Sequence, residues 1–467
     1  MRNKSVFGKN MSMALIAQFI SLIISILMSF MVSRRMDVAS YGYWQLFIFF
    51  MAYFPITAIG LLDGIYLSEL GKDYENLNFS LVGSQFKILV FQQILVAVLI
   101  IGTVRTGQDG NRIFALSMAA IYMILFNVSY FIGYVFQATN NVWVFSLAII
   151  LDKGIFAIIL ALFLIKKVSD FRIYILAYTF SKLISLGYCL LKGKRIVCSL
   201  KCKLEISLKE VKKNINCGAK VTIGNLAGMF IIGCGRMVVD WHWGIEAFSV
   251  FSFAITLVNF FLTFIGQISM VILPALKRVD QRNQKQNFEK LRTILPILLL
   301  GVMVFYVPGK QILSIWLPAY SQSFIYMAIL LPICIFDGKM QLVNNVYLKM
   351  LRKEDMILKI NLVCVALAAI ASLISAIVFN STEMVMIAVV VIVGIRSVYT
   401  EVYLEKQLGI PHSSMVFGEV IVSLVFMLLN LLCPVWEAFV GYAVCYMVYI
   451  IVNLKKIKAY LPARMRA

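Results

Sequence analysis

Charge is scarce in this chain. Of 467 residues only 14% are charged, 61% are hydrophobic, and the mean hydropathy is +0.90. Soluble domains carry about 25% charged and about 45–50% apolar residues, so an ordinary soluble fold is excluded. Histidine is scarcer still. His242 and His412 are the only two, neither has a partner at ligand spacing, and no metal site is expected. Gly8-Lys9, Gly71-Lys72, Gly193-Lys194, Gly309-Lys310 and Gly338-Lys339 all lack a following Ser or Thr, which removes a Walker A loop and with it a built-in ATP motor. Gly233-Cys-Gly235 lacks the third glycine of a dinucleotide fingerprint. No polar block is long enough to fold as a separate catalytic domain, so the chain reads as a non-enzyme without cofactors.

The nine cysteines form no framework. Cys189, Cys234, Cys334, Cys364, Cys433 and Cys445 fall in or beside apolar runs, and Cys198, Cys202 and Cys217 lack zinc or disulfide spacing. They read as small apolar filler.

What is abundant is apolar sequence in long runs. A helix needs about 20 apolar residues to cross the hydrocarbon core. On that criterion fourteen spans are predicted, near 11–32, 43–67, 86–104, 113–136, 142–165, 172–191, 218–240, 247–273, 293–308, 324–348, 356–379, 382–404, 415–433 and 435–453. The expected fold class is therefore an all-α polytopic membrane protein, with two six-helix lobes and two extra C-terminal helices. The first run has no small-residue cleavage site and is expected to be a retained helix rather than a signal peptide. The organisation expected is an N-terminal lobe over 1–191, a basic linker over 192–217, a second lobe over 218–404, and two further helices with a basic tail over 405–467.

Lys and Arg number 43 against 22 Asp and Glu, a formal net charge of +21. In a soluble protein that excess would suggest nucleic acid; here it sets orientation, because Lys and Arg concentrate in cytoplasmic loops. With the N-terminus inside, thirty of them fall on the cytoplasmic side and eight outside. Both termini are thus expected to be cytoplasmic. The six tryptophans all fall at predicted span ends or in short loops, as interfacial rings should. In the linker, Leu204, Leu208, Val211 and Ile215 make an apolar stripe among lysines, which predicts an amphipathic helix lying on an anionic leaflet.

Charges inside spans are costly, about 2.5–3.5 kcal/mol each at a helix centre, and so are candidates for function. The basic ones are Lys153, Lys182, Arg236, Lys339 and Arg396; the acidic ones noted with them are Asp63, Asp152 and Asp337. Asp152 and Lys153 are adjacent and project about 100° apart on a helix, so they cannot neutralise each other on one face. Five cations against three carboxylates leave a positive surplus suited to an anionic head group. Pro55, Pro296 and Pro332 interrupt spans, where a transporter would place hinges or unwound backbone. Asn127, Asn225, Asn259 and Asn344 are polar positions that serve equally as sugar contacts or as interhelical hydrogen bonders.

Four stretches give the chain a family resemblance. They are Tyr41-Gly-Tyr-Trp-Gln-Leu-Phe47 with Gly60-Leu-Leu-Asp-Gly64 and Gly71-Lys-Asp-Tyr74; Phe136-Gln-Ala-Thr-Asn140 with Ile149-Ile-Leu-Asp-Lys153; Gly235-Arg236 through Gly244-Ile-Glu246 to Phe251-Ser-Phe-Ala254; and Phe336-Asp-Gly-Lys339 through Asn345, Tyr347, Leu348-Lys349 and Arg352-Lys-Glu354. In these, and in span count and order, the chain resembles the bacterial O-antigen and capsule repeat-unit flippases, whose superfamily also holds multidrug exporters. It departs from them at Gly235, where an acidic residue commonly precedes the arginine.

The resemblance implies two six-helix lobes around a central cavity in a bacterial cytoplasmic (inner) membrane. It implies translocation of undecaprenyl-diphosphate-linked oligosaccharide from the inner to the outer leaflet by alternating access. The partners implied are that lipid-linked substrate, membrane lipids, a glycan polymerase and a chain-length regulator. Lys153, Lys182, Arg236, Lys339 and Arg396 would then meet the diphosphate, and Asp63, Asp152 and Asp337 would be candidates for coupling an ion gradient. The alternative is a cation-coupled multidrug exporter of the same superfamily; a polysaccharide polymerase would want a large external loop. The Gly-x-x-x-Asp-Arg/Lys signature of major-facilitator transporters is missing from Ser68–Lys87.

Overall fold

A computed structural model of the chain describes residues 23–107, 109–199, 203–277 and 281–460. Among the described residues all regular structure is helical, as the hydropathy pattern predicts. Among the described residues eleven helices are long and apolar enough to cross a membrane, or 13 spans if each of two bent pairs counts as one. The expected first span, 11–32, begins outside the described residues, and its described part belongs to a helix over 23–35. Two compact units partition the chain, Met1–Leu226 and Ala227–Ala467.

In the first unit helix α1 (23–35) is followed by α2 (Val38–Tyr53), α3 (Leu61–Glu69), α4 (Phe79–Val104), α5 (Gly110–Ala138), α6 (Val142–Ile165), α7 (Phe171–Lys192), the single turn α8 (Lys194–Val197) and the start of α9 (Leu204–Trp243). Side chains that suit helix N-caps start several of them. Asp37 accepts from Ser40 N, Asn78 from Leu81 N, Asp109 from Asn111 N and Arg112 N, and Asp170 from Arg172 N. Helix α5 packs against α2, α3, α4, α6 and α7, and its Phe131, Ile132 and Val135 are fully buried. Trp44 departs from the interfacial expectation. Its helix starts at Val38, so the ring lies nearly two turns inside, buried against Phe156 with Tyr178 edge-on.

The second predicted span is broken. Pro55 introduces a 3₁₀ turn over Phe54–Ala58, Ile59 and Gly60 take left-handed backbone angles (φ 52° and 85°), and α3 leaves at 58° to the segment before it. A break of this kind frees carbonyls that lipid cannot satisfy. Polar side chains from two neighbouring helices do so instead. Asn127 of α5 donates to Phe54 O (3.2 Å), Thr57 Oγ1 (2.9 Å) and Gln93 Oε1 (2.8 Å), while Gln92 and Gln93 of α4 donate to Thr57 O. Asn127 is thereby an interhelical stitch.

Glycines let α3 and α9 cross at backbone contact. A Cβ on Gly218 would lie 2.0 Å from Gly60 O, and one on Gly64 would lie 2.0 Å from Asn214 O. Beside the crossing Asn214 donates to Gln85 at 2.8 Å, both buried, and Thr222 donates to Asp63. This corrects the expected surface helix. The face that α9 buries is Ser207, Val211, Asn214, Gly218 and Thr222, whereas Leu208 is exposed. The helix then runs on without a break to Trp243, because no proline or left-handed residue separates the basic segment from the apolar one.

The second unit takes the rest of α9, α10 (Ile245–Lys277), α11 (Gln281–Met303), α12 (Tyr306–Trp316), α13 (Ser321–Leu330), α14 (Pro332–Lys339), a π-helical turn (Met340–Asn344), α15 (Asn345–Met350), α16 (Glu354–Ile377), α17 (Thr382–Leu408), α18 (Met415–Leu432) and α19 (Val435–Tyr460). The expected short span 293–308 is the middle of a longer segment, Gln284–Trp316. Pro296 lies inside α11, and Pro332 opens α14 after a 46° bend. The last two helices are tied into this unit. Val304 N bonds to Gly301 O where α11 ends, and the freed Leu300 O accepts from Tyr442 (2.8 Å). Tyr446 donates to Ile297 O (2.9 Å) and covers Gly301.

The glycine crossing makes a direct prediction. Gly218→Ala or Gly64→Ala must push two backbones apart and is expected to cost at least the ~1–3 kcal/mol of an overpacked core. Gly187→Ala, with nothing within 4 Å of its Cβ, is expected to be neutral or stabilising. Thermal melting of the purified variants in one detergent checks the contrast.

Candidate functional site

The in-span charges gather into separate clusters within each unit. In the first, the 100° offset between Asp152 and Lys153 sends them to different partners. Asp152 faces Lys182 of α7, 3.6 Å away, and accepts from Ser181 Oγ at 3.3 Å. Lys182 and Asp152 are only 4% and 6% exposed. The Lys182 ammonium also lies 5.3 Å from the Phe126 ring centre and 5.1 Å from that of Tyr130, a cation–π arrangement. Lys153 donates to the Tyr178 hydroxyl and lies 4.6 Å from the centre of the same ring. Tyr178 is part of an aromatic group with Trp44, Phe47, Tyr122 and Phe156. Asp63 stands apart, at the α3–α9 crossing with Thr222.

In the second unit Arg236 of α9 donates through Nε to Ser252 Oγ (3.1 Å) and stacks 5.1 Å from the Phe248 ring centre. Gly235 stands before it, and α10 supplies both of these contacts. Arg396 of α17 pairs with Asp337 of α14 and donates to Gly228 O (3.3 Å), while Gln341 donates to Asp337 (2.8 Å). Two residues further, Lys339 sits between two carboxylates, 2.5 Å from Glu401 of α17 and 2.7 Å from Glu419 of α18. All three side chains are no more than 2% exposed. The π-helical turn that follows Lys339 is pinned by Asn344, whose amide donates to Ser397 O at 3.1 Å.

Glu401 and Glu419 were not among the candidates drawn from the sequence. The signal was there: both lie inside predicted spans, 382–404 and 415–433, and satisfy the criterion that selected Lys339. Adding them to the candidates sets five carboxylates against five cations and removes the positive surplus on which an anionic cavity was argued. Among the described residues no group of three or more His, Cys, Asp or Glu could hold a metal ion.

The Asp152–Lys182 pair carries a prediction about stability. Removing one member of a buried pair strands the other charge and costs about 3–5 kcal/mol, whereas removing both is far milder. Lys182→Met is therefore expected to lower the melting temperature markedly, and the double variant with Asp152→Asn to recover most of it.

No protein-family model matches the sequence, and no curated protein matches it. Solved structures do resemble it. An inward-facing multidrug resistance MATE family transporter of the MOP superfamily superposes with a TM-score of 0.59 at 13% identity, over 84% of this chain and 98% of that one. Its outward-facing counterpart gives 0.56 at 12%, over 86% and 96%. A MOP superfamily transporter from Pyrococcus furiosus, described as having a binding pocket of reversed polarity that suggests a different function, gives 0.52 at 12%, over 86% and 96%. At these identities the likeness is one of fold: this chain is a multi-pass helical membrane protein with a MATE-like architecture.

Proposed function

We propose that the chain is a membrane transporter working by alternating access. The observation that carries this reading is the fold likeness to MATE transporters over most of both chains, with nearly all of the neighbour covered. A fold alone hosts more than one function, so the substrate has to be argued from the residues.

Two substrate classes have specific support. Export of cationic or amphiphilic drugs is the alternative that the neighbours favour, two of them being multidrug resistance transporters. The neutralisation of Lys182, Lys339 and Arg396 by Asp152, Glu401, Glu419 and Asp337 points the same way, since paired cations are not free to draw an anion. Translocation of a lipid-linked oligosaccharide is supported by the four stretches that resemble the repeat-unit flippases. It is also supported by Lys153, whose described partner is a tyrosine rather than a carboxylate. In that reading Lys153 is a cation that could meet a diphosphate, and a glycan polymerase and a chain-length regulator would be its partners.

Deleting the gene in its host separates the two. Lipid-linked repeat units trapped on the cytoplasmic face, with surface polymer lost, are expected if the substrate is the oligosaccharide. Intact surface glycan with new sensitivity to cationic drugs is expected if it is a drug. Intact glycan with unchanged drug sensitivity would overturn both.

A further inference from the structure

The Lys339 cluster holds one carboxylate too many. Its buried charges are two cations, Lys339 of α14 and Arg292 of α11, and three carboxylates, Glu401 and Glu405 of α17 and Glu419 of α18. Arg292 pairs with Glu405, at 2.5 Å, and more loosely with the partly exposed Glu289, at 3.9 Å. That leaves Lys339 alone to balance Glu401 and Glu419. A single ammonium cannot compensate two ionised carboxylates in a medium where an unpaired charge costs several kcal/mol. The imbalance also shows in the hydrogen bonding. Glu419 accepts from Lys339 through Oε2, while its Oε1, fully buried, has no partner among the described residues.

The other neighbours of Glu419 do not supply the missing charge. From α19 the Tyr449 hydroxyl is buried close to both carboxylates and is itself without a hydrogen-bond partner among the described residues. It is neutral and packs over Gly418. The titratable side chain of α13, Tyr326, is turned to Gln322 and Thr382. His412 contacts Glu405 rather than Glu419, and its side chain is 65% exposed.

We infer that Glu401 and Glu419 form a proton-binding site across Lys339, one carboxyl neutral and the other paired with the lysine. Two carboxylates that share one ammonium favour holding a single proton between them, because like charges raise each other's affinity for it. Protonated Glu419 can donate from the oxygen that now lacks a partner, and the cluster becomes electrically neutral. Loss of the proton leaves a net negative charge between α14, α17 and α18. That charge would have to be relieved by movement of these helices or by entry of a cation. Use of the site to couple transport to a proton gradient rests on the transporter reading above; its occupancy by a proton does not.

Infrared spectroscopy of the purified full-length chain in lipid nanodiscs tests the occupancy without any substrate. At neutral pH the wild type is expected to show the C=O stretch of a protonated carboxyl group, lost on alkaline titration. Glu419→Gln or Glu401→Gln alone should abolish it, because the remaining carboxylate then pairs one-to-one with Lys339. Lys339→Met should strengthen it, because both carboxylates then lack a cation. A wild-type spectrum without the band at neutral pH overturns the proposal whatever the variants do, and so does a band unchanged in both glutamine variants. A proteoliposome assay with an imposed pH gradient is scored separately. If the band behaves as expected and no transport follows, the transporter reading fails and the proton site stands.

Discussion

Lipid offers no hydrogen bonds, and that single deficit governs the architecture. A chain of unbroken helices meets it at no cost, because each peptide group is satisfied within its own helix. This chain breaks its helices anyway, at Ile59–Gly60, at Leu331 and at the end of α11. Where α2 and α11 end, the freed carbonyls are met by side chains reaching across from neighbours: Asn127, Gln92 and Gln93 for Phe54 and Thr57, and Tyr442 for Leu300. The breaks and their stitches are thus one feature. A kinked span without its donors would be a fault in the bilayer, and with them it becomes a fixed bend.

The same economy applies to charge. The buried cations in the spans sit against carboxylates or aromatic rings, and the pairs run between helices: α6 with α7, α14 with α17, α14 with α18. Such pairs add little net stability against well-packed apolar residues, but they penalise any arrangement in which a partner is absent. They therefore specify which helix lies beside which. The Lys339 cluster is the exception in which the count does not close, and it is there that chemistry beyond packing is argued.

How much of this could be read beforehand follows from the range of each interaction. Hydropathy is summed locally, so the spans, the helical class and the prolines at Pro55 and Pro332 were legible. The offset between Asp152 and Lys153 was legible too, because it is a property of one helix. The partners were not, since Glu419 lies 80 residues from Lys339 and only tertiary packing joins them. Trp44 misled because an interfacial position was inferred from a span start five residues too late. The stripe in the linker was right at Val211 and Ile215, which pack into the core, and misled at Leu208. The helix is drawn in by the glycines at Gly60, Gly64 and Gly218, and close backbone approach leaves no hydrophobic signature. The small-xxx-small spacing of Gly60 and Gly64 was the one trace of it in the sequence.

The spacing within the Lys339 cluster has a consequence for how the protein is made. Synthesis runs at about 5–20 residues per second, so the 80 residues from Lys339 to Glu419 take roughly 4–16 s to emerge. Glu401 is translated before that interval ends, so Lys339 meets its two counter-charges one after the other. Its buried ion pairs can form only once α17 and then α18 have been made. Helix order in the sequence thus makes the tenth span the first-made partner of a cluster that closes only with the next-to-last helix.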